Sequence, residues 1–65
     1  MYIDKDSVVV WPSRFKPLPD GYRVRWTGSH YVWETDNDEG AISWDAYWVR
    51  RCVFADARRK ATEET

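Results

Sequence analysis

Residues 22–35, YRVRWTGSHYVWET, limit the possible folds of this chain more than any other stretch. Two short runs of β-branched and aromatic residues flank Gly28-Ser29. That pair suits a two-residue type II′ turn, because a leading glycine takes a positive φ without a Cβ clash. The turn fixes a register in which Trp26 faces Tyr31, Val24 faces Trp33 and Tyr22 faces Thr35, all on one side. Arg25 then faces Val32, and Arg23 faces Glu34, on the other side. Side chains alternate along a strand, so a slip of one residue would mix the rings with the charges. A central β-hairpin over 22–35 is therefore expected.

Flanking segments attach to this hairpin. Residues 7–11, SVVVW, are rich in β-formers and stop at Pro12, which predicts a first strand at a sheet edge. Residues 1–6 are expected to fray. Residues 12–20 hold all three prolines and are expected to run extended without sheet pairing, pinned to the core by Phe15 and Leu18. A polar loop over 36–40 follows the hairpin, and Ala41-Ile42 is expected to add a bridge or a short third strand. Ser43 has the chemistry of a helix N-cap, with Asp45 in the first turn where the helix dipole favours an anion. From Trp44 to about Lys60 the chain lacks Gly and Pro, and Arg58, Arg59 and Lys60 suit a helix C-terminus. Residues 61–65 are expected to fray. The predicted fold is a single α+β domain over residues 1–65, with an antiparallel sheet of two or three strands and one C-terminal helix packed across its aromatic face.

A chain of 65 residues has a marginal core. Its aromatic share of 17% argues against disorder. Each ring buries roughly 150–250 Å², worth about 4–6 kcal/mol before entropy is subtracted. Too few other large apolar residues are present to cover five tryptophans, so some are expected in the core and some on the surface. At 32% charged residues the chain is too polar for a membrane span. A lone Cys52 forms no internal disulfide, and Asp4, Lys5 and Asp6 interrupt any leader-like start. A cytoplasmic, reducing compartment is the expectation.

The predicted helix carries more apolar surface than one sheet can cover. At about 100° per residue, Trp44, Trp48, Cys52 and Ala55 share one arc. Ala46, Val49, Val53 and Ala57 lie nearly opposite. On one flank between them, Tyr47, Arg50, Arg51, Phe54 and Arg58 alternate arginines with rings. One arc must face the hairpin, and periodicity alone does not say which. The remaining surface is the best pointer to function, since Arg, Tyr and Trp dominate interface hot spots. The expectation is a non-enzymatic protein-binding module whose contacts are Tyr47, Arg50, Arg51, Phe54 and Arg58, with Arg23 and Arg25 from the outer hairpin face. Such a module would occlude or remodel the surface of another protein, or pair with itself through the spare arc as a homodimer. In size and composition the chain resembles the small accessory and inhibitory proteins of phages and other mobile elements.

Nucleic-acid binding is the alternative, with the same arginines on phosphates and rings on bases. Against it stand a net charge of −1 and the acidic residues of 34–39. Residues 34–40, ETDNDEG, superficially suggest calcium. Counted from Glu34, however, Gly40 falls one place late for an EF-hand loop and the twelfth residue is Asp45. His30 and Cys52 are the only residues of their kinds, which leaves catalysis without an oriented nucleophile and base. Cys52 is expected to be a buried structural thiol. No enzyme activity, metal or cofactor is expected.

Leu18-Pro19-Asp20-Gly21-Tyr22, then Tyr31-Val32-Trp33, then Ser43-Trp44, resembles the skeleton of a WW domain. That resemblance spans 18–44 and implies binding of proline-rich peptides. The pattern departs at Tyr22, which stands for the first tryptophan, and at the missing Asn/Asp-His and closing proline. Trp44 in turn is expected to open a helix.

Overall fold

A computed structural model describes residues 1–63. Two antiparallel sheets and one helix follow in the order β1 (Tyr2–Ile3), β2 (Val9–Val10), β3 (Arg23–Trp26), β4 (Tyr31–Glu34), β5 (Glu39–Ser43) and α1 (Ala46–Glu63). The fold is α+β: β1 pairs with β2, β3-β4-β5 form a meander, and α1 packs against the meander.

The hairpin has the register read from its alternation, with Arg23↔Glu34, Val24↔Trp33, Arg25↔Val32 and Trp26↔Tyr31. Gly28 at φ 104° leads the turn, and Thr27 N–H closes it on the His30 carbonyl at 2.9 Å. The acidic segment is also tighter than a loop over 36–40. Thr35 N–H donates to the Asp38 carbonyl at 2.7 Å, and β5 starts at Glu39. Of the bridge or short third strand expected at Ala41-Ile42, the strand is what forms, and it is five residues long, Glu39–Ser43.

A bulge in β5 explains how that strand serves the core. Val32 pairs with Ile42 and Trp33 with Gly40, which leaves Ala41 unmatched at φ 48°. Gly40 thereby comes to lie directly on the Trp33 indole. A Cβ there would sit 2.7 Å from Trp33 Cζ2. Trp33, 6% exposed, joins Val9, Val24, Val49 and Val53 in the central cluster, with Trp11, Leu18, Tyr22, Tyr31, Ala41 and Cys52 packed around it.

Residues 1–6 are not frayed. Asp4 organises a turn by accepting from the backbone N–H groups of Asp6 (2.8 Å) and Val8 (3.0 Å) through Oδ1. Ser7 takes φ 66° and its carbonyl accepts from Trp26 N–H at 2.8 Å, while Val8 bridges Arg25. The N-terminal hairpin thus covers the free edge of β3, and the strand expected over 7–11 shortens to β2, Val9–Val10.

The helix begins later than the sequence suggests. Ser43 is committed to β5 opposite Tyr31, so the cap passes to Asp45. Asp45 Oδ1 accepts from the N–H groups of Tyr47 (2.9 Å) and Trp48 (3.4 Å), and Ser43 Oγ accepts from Asp45 N–H at 3.1 Å. Trp44 is consequently a residue before the helix. At the other end α1 continues to Glu63, so residues 61–63 are helical; 64–65 lie outside the described residues.

Gly40→Ala is expected to cost about 1–3 kcal/mol by driving Trp33 off its seat. Urea denaturation followed by tryptophan fluorescence measures it, and an unchanged midpoint would contradict the packing.

Candidate functional site

The arc of α1 that faces the sheet is the small one. Ala46, Val49 and Val53 are buried, and Ala57 is half-buried beside them. Small β-branched and alanine side chains let the helix approach the bulky Tyr22, Tyr31 and Trp33 face. A tryptophan arc there would have held the two layers apart.

The Arg and aromatic flank is divided by the proline-rich segment, which lies on half of it. Arg50 is 8% exposed and does not belong to an open contact surface. Its guanidinium stands 5.0 Å from the Trp11 ring centroid, 5.1 Å from Phe15 and 5.2 Å from Phe54, and it donates a hydrogen bond to the Lys16 carbonyl. Among the described residues Arg50 pairs with no carboxylate, and burial pulls its pKa down. Arg50 Nη1 and Trp11 Nε1 find no hydrogen-bond partner there. Three ring faces therefore supply the electrostatic partner that a carboxylate would otherwise provide. Phe54 is half-buried in the same group, and the Tyr47 ring packs on Trp11 at 5.5 Å and on Phe15 at 5.8 Å. Of the five expected helix contacts, Arg51 and Arg58 remain fully on the surface, with one side of Tyr47. The sequence signal for this self-docking was Phe15 among the prolines, a ring otherwise without a place in the sheet.

Arg23 and Arg25 stand together on the outer sheet face, both turned to Glu34. Arg23 Nε donates to Glu34 Oε1 at 2.7 Å and approaches Asp36 at 3.5 Å. Arg25 Nε forms an ion pair with the same Oε1 at 2.7 Å, outside hydrogen-bond geometry. Burial alone would raise the Glu34 pKa, but the two guanidiniums more than reverse this and lower it. Beside them Ile42 is 71% exposed over a hollow lined by Thr27, His30, Val32, Glu39, Gly40 and Ala41.

A polar cluster fastens the C-terminal half of α1. Tyr22 Oη donates to Asp56 Oδ2 at 2.6 Å, Arg59 pairs with Asp56 at 2.7 Å, and Lys60 reaches Asp56 at 3.2 Å and Asp38 at 4.0 Å. Lys60 also lies over the Tyr22 ring at 5.3 Å and the Trp33 ring at 5.9 Å. The Tyr22 hydroxyl, then Arg59 and Lys60, hold the Asp56 carboxyl down to about 2. Burial and the same hydrogen bond raise the Tyr22 pKa.

What stays uncovered is the tryptophan arc. Trp44 is 84% exposed and Trp48 54%. A shallow hollow lined by Trp48, Arg51, Cys52 and Ala55 continues it along the helix. The Arg51 guanidinium lies 5.9 Å from its own Trp48 ring, and neither Arg51 nor Arg58 pairs with a carboxylate among the described residues. Cys52 is free and half-buried on the edge of this hollow, less enclosed than a core thiol.

The remaining sequence candidates stay apart. His30 Nδ1 lies 2.9 Å from Ser29 Oγ in the exposed hairpin turn and is not joined to Cys52. Among the described residues no group of three or more His, Cys, Asp or Glu side chains is placed to hold a metal ion, and no helix is long and apolar enough to cross a membrane. Comparison of the chain with protein-family models, curated proteins and solved structures gave no match.

Arg50→Ala empties the space between three rings and is expected to cost about 2–4 kcal/mol. Arg50→Met fills it without an unsatisfied Nη1 and is expected to cost less than about 1.5 kcal/mol; denaturant titration of the two variants separates packing from charge. Asp56 is depressed from 3.8 to about 2, so the unfolded chain takes up its proton first as pH falls. Its stabilisation is full above about pH 4 and lost between there and pH 2, on the order of 1–2 kcal/mol after screening by solvent. Melting of Asp56→Asn across pH 2–7 is expected to lose most of that dependence, with Glu34 supplying the residual slope.

Proposed function

We propose that this protein is a non-enzymatic protein-binding module of the accessory or inhibitory kind, acting in the cytoplasm through the outer face of α1. One observation carries the reading. Trp44, just before α1 and 84% exposed, and Trp48, in its first turn and 54% exposed, present two indoles beside arginines that pair with no carboxylate among the described residues. Leaving such rings in water forgoes several kcal/mol of burial, and large aromatics beside Arg are the commonest anchors of protein interfaces. The contact set this supports is Trp44, Tyr47, Trp48, Arg51 and Arg58. Arg50 and Phe54 act behind it by stiffening the helix against residues 11–18. Arg23 and Arg25, already engaged by Glu34, have less to offer a phosphate or a partner carboxylate.

The test is capture of a partner by the wild-type chain and by a Trp48→Ala/Arg51→Ala variant whose fold is checked by circular dichroism. Loss of at least about tenfold in affinity is expected, a difference of about 1.4 kcal/mol. Unchanged association would defeat the reading. Affinity that falls steeply as salt rises would instead favour a nucleic-acid partner.

A further inference from the structure

We infer that the partner of this helix face is a second copy of the chain, docked with its α1 antiparallel about a two-fold axis beside residues 51 and 52; this rests on the protein-binding reading above. The outward stripe of α1 runs Trp48, Arg51, Ala55, Arg58, alternating steps of three and four residues. That is the spacing of a seam between two helices. Along the stripe the side chains are arranged as their own complement. Trp48, 54% exposed, stands at one end of a hollow whose lining continues through Arg51 and Cys52 to Ala55. Asp45, exposed, stands at the N-terminal end, and the exposed Arg58 at the C-terminal end pairs with no carboxylate among the described residues.

One register satisfies these features together. With the axis beside 51 and 52, Trp48 faces Ala55 of the other copy and Asp45, at the N-cap, faces Arg58. Large meets small and acid meets base, each twice because the contact is isologous. Arg51 faces Cys52 of the other copy with its guanidinium held over Trp48. Antiparallel helices also oppose their dipoles. The rings of Trp44, Tyr47 and Trp48 expose on the order of 400 Å² per copy, about half of what one partner gives to a standard interface. The stems of Arg51 and Arg58, with Ala55, extend that area along the helix. A foreign partner would need to supply both a hollow for Trp48 and a ring for the hollow, which a second copy already has.

Light scattering of the full chain from micromolar to millimolar concentration is the test. The expected result is a mass of twice 7.8 kDa at the upper end. Ala55→Arg closes the hollow with a good helix former at an exposed site, so the fold is retained, and it is expected to shift the chain to monomer; Trp48→Ala is expected to weaken pairing at least tenfold. A wild-type chain that stays at 7.8 kDa throughout overturns the inference. So does a dimer indifferent to both substitutions. A monomer whose association with another protein still depends on Trp48 overturns self-pairing alone. If no association of any kind depends on Trp48, the reading beneath it falls as well.

Discussion

Trp33 against Gly40 is the contact on which the rest of this small fold depends. A 65-residue chain has few large side chains to spare, and this indole is the one tryptophan that is almost wholly enclosed. Its seat exists because β5 bulges at Ala41, which brings a residue without a Cβ under the ring. From that position Trp33 meets Tyr22 at 5.4 Å, receives Lys60 over its face and closes the cluster with Val24, Val49 and Val53. Meander, helix and polar clasp all converge on one side chain.

The clasp shows how a marginal core is reinforced without disulfides. Asp56 joins Tyr22, just before β3, with Arg59 and Lys60 from its own helix, and Lys60 extends toward Asp38 in the β4–β5 turn. Arg50 does the corresponding work for the proline-rich segment, where a cation among three rings holds down a stretch unable to pair in a sheet. Neither device was needed to specify the strands. Both fix the orientation of α1, and hence which of its faces remains open.

That open face is where structure bears on function. The helix turns its small arc inward and spends half of its Arg and aromatic flank on the chain itself. Trp44, Trp48, Arg51 and Arg58 are left outside, a group with the chemistry of an interface whose two arginines pair with no carboxylate among the described residues. The protein binding proposed for these residues, and the proposed self-pairing in particular, rest on that remainder.

The sequence by itself determined the hairpin register, the absence of sheet pairing across the prolines, the existence of the C-terminal helix and the division of its surface into two apolar arcs. These follow from local alternation, from φ restrictions and from periodicity, which neighbouring residues enforce without reference to the rest of the chain. Only the tertiary structure decided that Val49 and Val53 face the sheet, that Arg50 is enclosed, that Asp45 rather than Ser43 caps the helix, and that Tyr2 and Ile3 pair with Val10 and Val9. Each of these turns on contacts between distant segments: the closeness that small side chains permit against large rings, the fit of Phe15 beside Arg50, the extension of β5 through Ser43, and an edge of β3 that required a partner. Periodicity identifies which side chains travel together; steric fit across the layers selects which of them reach the core.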